Sequence, residues 1–485
     1  MTRPNFLIFM PDQLRADCVG CFGNPWVQTP NIDALAARGL RFDNAWVNHP
    51  VCGPSRVNLM TGWYPHVRGH RTLTHLVQPH EPNLMKYMKD AGYHVAFAGA
   101  RGDVFAPGVT EASTHFCGWT VRPDPKQMGM GPQYDDGSPL YNAFYHGMRP
   151  GNDTWLDFDE AATRTALQWL DEKPAGPFCL WVPLIFPHLP FEVEDPFYNL
   201  YTPNDVPKRF DGKGIDKPLF HEAIRQTLGT DRVTEAQWAE IVRVYYGMIS
   251  RVDSQLGRIM AHLEATGHFD DTIVIFLTDH GEYLGDFGLV EKWPSGLDRC
   301  LLQNPLIMAG PGIRSGATAH SFVEMVDILP TLLELADTQA SHTHFGRSLV
   351  PLLEDPRAFH RAAAYSEGGF SIDELDLLEK AGGEYARKAQ LQHDQPRVVG
   401  KAISRRDHEY TYVYRLYEQD ELYDRASDPN ERTNIAARDD MAPVVARLRS
   451  EVLEWLFATA DVIPWTADPR FPKIPHGQHE PFEGH

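Results

Sequence analysis

Residues 272–282 read TIVIFLTDHGE, an apolar, largely β-branched run that stops abruptly at Thr278, Asp279 and His280. An unbroken apolar stretch suits a strand buried on both faces, since a strand with one wet face would alternate. Four similar runs lie elsewhere: NFLIFM (5–10), HVAFAG (94–99), FCLWVPLIF (178–186) and NPLIMAG (304–310). Helical patterns fall between them. Thr29-Pro30 opens one with proline at the first helical position, and residues 83–91 form another. The longest covers 234–266. There Ile241, Tyr245, Met248, Val252, Ile259 and Leu263 repeat on one face, Thr234 can cap the start, and Gly267 follows the end. Strands alternating with helices predict an α/β fold, a large, mostly parallel sheet sandwiched by helices.

The chain has 485 residues, 42% hydrophobic and 23% charged, enough for one large core or a large and a small one. Near residue 360 the texture changes. HEYTYVYRLY (408–417) alternates as an antiparallel strand does, and a turn-rich stretch then leads to a helix near 441–459. The expected organisation is a catalytic α/β domain over 1–360, a smaller α+β subdomain over 361–460, and an extended tail over 461–485 rich in proline and histidine. A net charge of −20 argues against a nucleic-acid or anionic-membrane partner. No run of roughly 18 apolar residues exists to span a membrane. The apolar run after Arg3 is short for a signal core and no small-residue cleavage site follows, so the expected location is cytoplasmic. Six cysteines are too few for a disulfide scaffold, and the Cys18–Cys21 pair lacks the second pair of a zinc site.

Functional groups in parallel sheets gather where strands end. Here the strand at 5–10 delivers Asp12 and Gln13, and the strand at 272–278 delivers Asp279 and His280. A carboxylate directly after a buried strand is costly unless paired or bound to a cation. Singly, each acid can be a turn cap. Together with an amide and an imidazole they suit a divalent cation, Ca²⁺, Mg²⁺ or Mn²⁺. His188, between two prolines in IFPHLPF (185–191), is either structural or catalytic. Lys292 and the Arg101/Asp103 pair have plain surface readings beside functional ones. The loops 103–153 and 189–232 are candidates for specificity. Tyr134, Tyr141, Tyr145 and Trp155 can stack on a sugar or aryl ring, or simply anchor the loops.

Residues 51–62, VCGPSRVNLMTG, carry Cys52, Pro54, Ser55, Arg56, Thr61 and Gly62 as C-x-P-S-R followed by T-G. This resembles the signature of the type I sulfatases of the alkaline phosphatase superfamily. PNFLIFMPDQLRAD (4–17), TPNIDALAARGLRFDNAW (29–46), TIVIFLTDHGEYLGDFGL (272–289) and ELYDRASDPNERTNIA (421–436) resemble family segments in the same order. The resemblance implies an alkaline phosphatase-like mixed sheet. It also implies that a separate formylglycine-generating enzyme oxidises Cys52 to formylglycine (3-oxoalanine), whose hydrate attacks sulfur and expels the alcohol. By the same resemblance Asp12, Gln13, Asp279, His280 and the modified Cys52 hold one divalent cation, Ca²⁺ by family habit with Mn²⁺ or Mg²⁺ open. Gln13 stands where many members have an aspartate. Arg56 would hold the formylglycine, Lys292 would grip the sulfuryl oxygens, and His188 would protonate the leaving oxygen.

Many members have Lys-x-His where this chain has Arg101-Gly102-Asp103. Arg101 can still grip an anion, Asp103 cannot replace an imidazole, and His70 and His115 are substitutes to test. The expected substrate is a small-molecule or saccharide sulfate ester, and the tail hints at a homo-oligomer. Phosphonate monoester and phosphodiester hydrolases share the Asp-Gln and Asp-His pairs and are the alternative.

Overall fold

The computed structural model describes residues 3–99, 104–151, 153–173, 175–210, 212 and 216–462. The central sheet has eight strands: β1 (Asn5–Met10), β2 (Leu40–Phe42), β3 (His94–Ala98), β4 (Phe116–Gly118), β5 (Phe178–Pro183), β6 (Thr272–Phe276), β7 (Ile307–Ala309) and β8 (Ala317–Ala319). Their order is β8-β2-β7-β6-β1-β5-β3-β4. β7 runs antiparallel to β6 and β2, and the other pairings are parallel. The sheet is therefore mixed and mostly parallel. Every residue of β1, β5 and β6 is buried, which explains why their sequences do not alternate.

Four helices matter for the site: α1 (Pro30–Arg38), α2 (Cys52–Thr61), α3 (Phe158–Glu172) and α4 (Glu235–Ala265). α4 starts in a capping box, with the Gln237 amide donating to Thr234 Oγ1 and the Thr234 amide to Gln237 Oε1. Its repeating apolar residues, Ile241 to Leu263, are all buried.

Register decides what the strand ends can do together. Phe9 of β1 lies opposite Phe276 of β6 and Val182 of β5. Asp12 and Asp279 each stand three residues past that paired position, so two adjacent parallel strands deliver their acids side by side. β5 delivers the segment leading to His188 at the same end of the sheet.

A second sheet is antiparallel in chain order: β9 (Ala364–Gly368), β10 (Ala402–Arg406), β11 (Tyr410–Arg415) and β12 (Glu421–Asp424). Between β9 and β10 lies α5 (Ala386–Asp394), and α6 (Ala442–Thr459) follows β12. The strand expected at 408–417 is shorter because Asp407 Oδ1 accepts the Glu409 and Tyr410 amides and turns the chain. Leu448 and Val452 of α6 pack with Tyr412 and Leu422. Leu391, Val398, Val399, Ala402 and Val413 instead join the main core, so the smaller sheet packs against the same core as the larger. Beyond Val462 the expected tail lies outside the described residues. Among the described residues no helix is long and apolar enough to cross a membrane.

Candidate active site

Asp12, Cys52, Asp279 and His280 each bring a donor atom to one place, all within 4.8 Å of one another. Cys52 is 4% exposed and the other three are fully buried. His280 Nδ1 lies 2.8 Å from the Gly281 carbonyl, which can only accept, so the proton sits on Nδ1. The Nε2 lone pair then faces Asp12 Oδ1 at 3.7 Å and Asp279 Oδ1 at 4.0 Å, and has no hydrogen-bond partner among the described residues. Burial pushes the imidazole pKa down, which keeps the ring neutral despite Asp279. Two carboxylates, a neutral imidazole and residue 52 make a donor set that fits a hard or borderline divalent cation. Gly281 is required here by a close approach, because a Cβ would lie 1.9 Å from the Cys300 carbonyl oxygen.

The VCGPSR stretch has a role for each residue. Cys52 opens α2 directly after the extended Val51, at the positive end of the helix dipole. Ser55 Oγ donates to the Asp279 carbonyl at 2.6 Å, tying the helix to the strand end. The Arg56 guanidinium forks across Asp12 Oδ2 (2.8 Å) and Asp279 Oδ2 (2.9 Å) with no exposure on either side. Thr61 Oγ1 donates to the Val57 carbonyl, and Gly62 takes φ +66° to end the helix where a Cβ would meet His344 at 2.9 Å. Cys52 Sγ marks the place that formylglycine oxygens would occupy.

A second group faces the first. Lys292 Nζ lies 3.1 Å from His188 Nε2, donates to Gln13 Oε1 at 3.0 Å, and pairs with Glu291 at 2.8 Å. Burial works against its ammonium, but Cys52 and Asp12 overrule it and hold the pKa above the ordinary value. His188 Nδ1 donates to the Leu189 carbonyl at 2.7 Å, leaving Nε2 toward Lys292. Asp159 fixes the approach to His188 by accepting the Ile185 and Phe186 amides, both at 2.7 Å. The Phe186–Pro187 and Leu189–Pro190 peptides are cis. Gln13 adopts φ +64°, donates its amide N–H to Asp279 Oδ1 at 3.1 Å, and donates its side-chain amide to Glu282. Its side-chain oxygen has two lone pairs, so it can serve Lys292 and a cation together.

The structure thus gathers Asp12, Gln13, Cys52, Arg56, His188, Asp279, His280 and Lys292 at one end of the sheet. Arg101 lies outside the described residues. His70 is engaged by Glu81 (3.1 Å) and the His75 carbonyl (2.7 Å), and His115 Nδ1 accepts the Val95 amide at 3.2 Å. The Tyr145 hydroxyl is bound to Glu240 and the Trp155 indole to the Pro150 carbonyl, which makes both loop anchors. Burial raises the thiol pKa of Cys18 and of Cys21, the latter to about 12, and none of the six cysteines forms a disulfide.

Three residues near the site carry no spacing signal in the sequence. His49 is buried, accepts the Val51 amide on Nδ1, and is pushed down to about 3 by burial, with Arg71 and His280 adding to it. Lys388 pairs with Glu291 and donates to the Lys292 carbonyl. Tyr385 stands three residues before it.

Comparisons with known proteins give the chain's family. A sulfatase family model matches residues 4–338. The multifunctional alkaline phosphatase superfamily protein PehA of Trinickia caryophylli is 28% identical, over 95% of this chain and 96% of its own. A choline-sulfatase of Rhizobium meliloti is 27% identical, over 90% and 82%. The structure of a phosphonate monoester hydrolase of Agrobacterium radiobacter superposes with a TM-score of 0.76 at 26% identity, over 95% of this chain and 96% of that one. With the family model spanning more than half of its residues, the chain belongs to the sulfatase family of the alkaline phosphatase superfamily.

Proposed function

We propose that this protein hydrolyses sulfate esters, R–O–SO₃⁻ to R–OH and sulfate, with formylglycine made from Cys52 as the nucleophile. The observation that carries the reading is the placement of Cys52 at a helix N-terminus among Asp12, Asp279 and His280, with Lys292 and His188 facing it. One divalent cation, Ca²⁺ first among the candidates, would be held by Asp12, Gln13, Asp279, His280 and residue 52 and would polarise the sulfuryl oxygens and the attacking hydroxyl. The chain's own groups do the rest. Lys292 grips a sulfuryl oxygen with a permanent positive charge. His188, oriented through Nδ1, presents Nε2 to the same space and, when protonated there, delivers a proton to the leaving oxygen. Arg56 pairs with both acids and keeps them aimed. Maturation requires a formylglycine-generating enzyme as partner, and the substrates are small-molecule or saccharide sulfate esters.

The similarity to a phosphonate monoester hydrolase favours a second reading, hydrolysis of a phosphorus ester. Such an ester presents the same tetrahedral, anionic group. Protein made together with the modifying enzyme should lose one sulfur and two hydrogens and gain one oxygen at residue 52, about 18 Da in all. On that material kcat/KM for an aryl sulfate should exceed that for an aryl phosphodiester. The reverse order would move the conclusion to the second reading.

A further inference from the structure

The segment before α5 comes from between the two strands β9 and β10, far in sequence from every motif, yet it is fastened to the site on both flanks. On one flank, His146 Nε2 lies 3.1 and 3.2 Å from the Glu384 carboxylate oxygens, and His146 Nδ1 lies 3.2 Å from Glu192. Burial would lower the imidazole, but Glu192 and Glu384 overrule it and hold it up at about 9, so the clamp is an ion pair at neutral pH. On the other flank, Lys388 pairs with Glu291 and donates to the Lys292 carbonyl. Tyr385 lies between these anchors.

Its ring packs on Phe144 with centroids 4.8 Å apart, which fixes where the hydroxyl points. The Lys388 contacts to Glu291 and the Lys292 carbonyl hold this turn against the Lys292 segment, and the hydroxyl lies within electrostatic reach of Lys292, Cys52 and Asp12. Other buried phenols around the site are committed: Tyr245 donates to the Gln13 carbonyl at 2.6 Å and Tyr283 to Asp298 at 2.5 Å. The half-buried Tyr385 hydroxyl has no hydrogen-bond partner among the described residues. Burial holds its pKa above the ordinary value, so it stays a donor. A donor without a partner, on a turn anchored next to Lys292, suits an acceptor that arrives with the substrate.

We infer that Tyr385 is a substrate-contacting residue whose O–H donates to an oxygen of the tetrahedral anionic group, alongside Lys292. The inference rests on the ester-hydrolase reading and assigns the smaller sheet's connection a part in binding the substrate.

Tyr385→Phe tests it, because the ring and its packing on Phe144 remain. On mature enzyme kcat/KM should fall about ten- to a hundredfold, the usual worth of a hydrogen bond to a charged group, with the thermal midpoint unchanged. Both an aryl sulfate and an aryl phosphodiester are assayed. A wild type that prefers the diester removes the sulfate reading, while the variant-to-wild-type ratio on the diester still judges Tyr385. Calorimetric binding of inorganic sulfate reads the contact without turnover, and its affinity should weaken by about tenfold. Unchanged kcat/KM on the preferred ester together with unchanged sulfate affinity would overturn the inference. So would a Tyr385→Phe variant of full activity beside an unstable Tyr385→Ala, which would leave only a packing role.

Discussion

Arg56 is the counter-charge of two buried acids, and removing it should reveal how much of the cation's work is electrostatic. Arg56→Met keeps much of the side-chain volume and leaves Asp12 and Asp279 without the guanidinium at 2.8 and 2.9 Å. Breaking a buried ion pair by deleting one partner costs about 3–5 kcal/mol, because the remaining charge stays desolvated. For a chain of 485 residues the unfolding entropy near the midpoint is about 1 kcal/mol per degree, so chelator-treated protein should melt about 3–5 °C lower than wild type. With a divalent cation bound, the two carboxylates have a second source of positive charge, and the loss should shrink to less than half. The assay is scanning calorimetry of both proteins, first with chelator and then with saturating Ca²⁺. Equal losses in both conditions, or a chelated variant that melts with wild type, would refute the claim that guanidinium and cation share the neutralisation of these acids.

Three further outcomes follow from the geometry. Cys52→Ala should lower kcat by about a thousandfold or more, since it removes the nucleophile of the proposed reaction, and stopped-assay turnover of an aryl sulfate measures it. Gly281→Ala should cost about 1–3 kcal/mol by forcing the turn away from the Cys300 carbonyl, and should weaken Ca²⁺ binding because His280 moves with it; calorimetry reads both. The His146 clamp has a folded pKa of about 9, above the ordinary imidazole value. Its contribution is therefore complete below about pH 6.5 and is lost as the pH rises through about 9. The protection factors of amides over 383–394, corrected for the intrinsic rise of exchange with pH, should fall between about pH 7 and 9.5, and protection that stays flat would deny the clamp.

The sequence was most informative where polarity changes abruptly. β1 and β6 are apolar to their last residue, so Asp12 and Asp279 stand out, and parallel pairing makes it natural that they meet. What could not be seen was the company each side chain keeps across the chain. Nothing at Arg56 announces that it spans both acids. Tyr385 and Lys388 lie some 90 residues beyond Lys292 in a helix-forming stretch that looks like surface, and only tertiary packing brings them back. The aromatic loops show the opposite limit. Tyr145 and Trp155 have the chemistry of ring platforms, but Glu240 and the Pro150 carbonyl claim their polar ends. An alternating pattern also overstates length, as at β11, because one turn-forming aspartate can end a strand that its residues would continue.

The complete burial of α2 sets an order of events in time. All ten residues from Cys52 to Thr61 are buried, including Pro54 and Arg56, which the proposed modifying enzyme would have to read. A folded chain offers that enzyme no extended segment to grasp. Under the proposed function, oxidation of Cys52 would therefore belong to the interval before the sheet closes over the helix, with folding as the deadline. A molecule that folded first would then keep its thiol as a permanent lesion, stable yet idle. Treating folded, unmodified protein with the modifying enzyme should leave the mass of residue 52 unchanged, whereas the same treatment of unfolded chain should not.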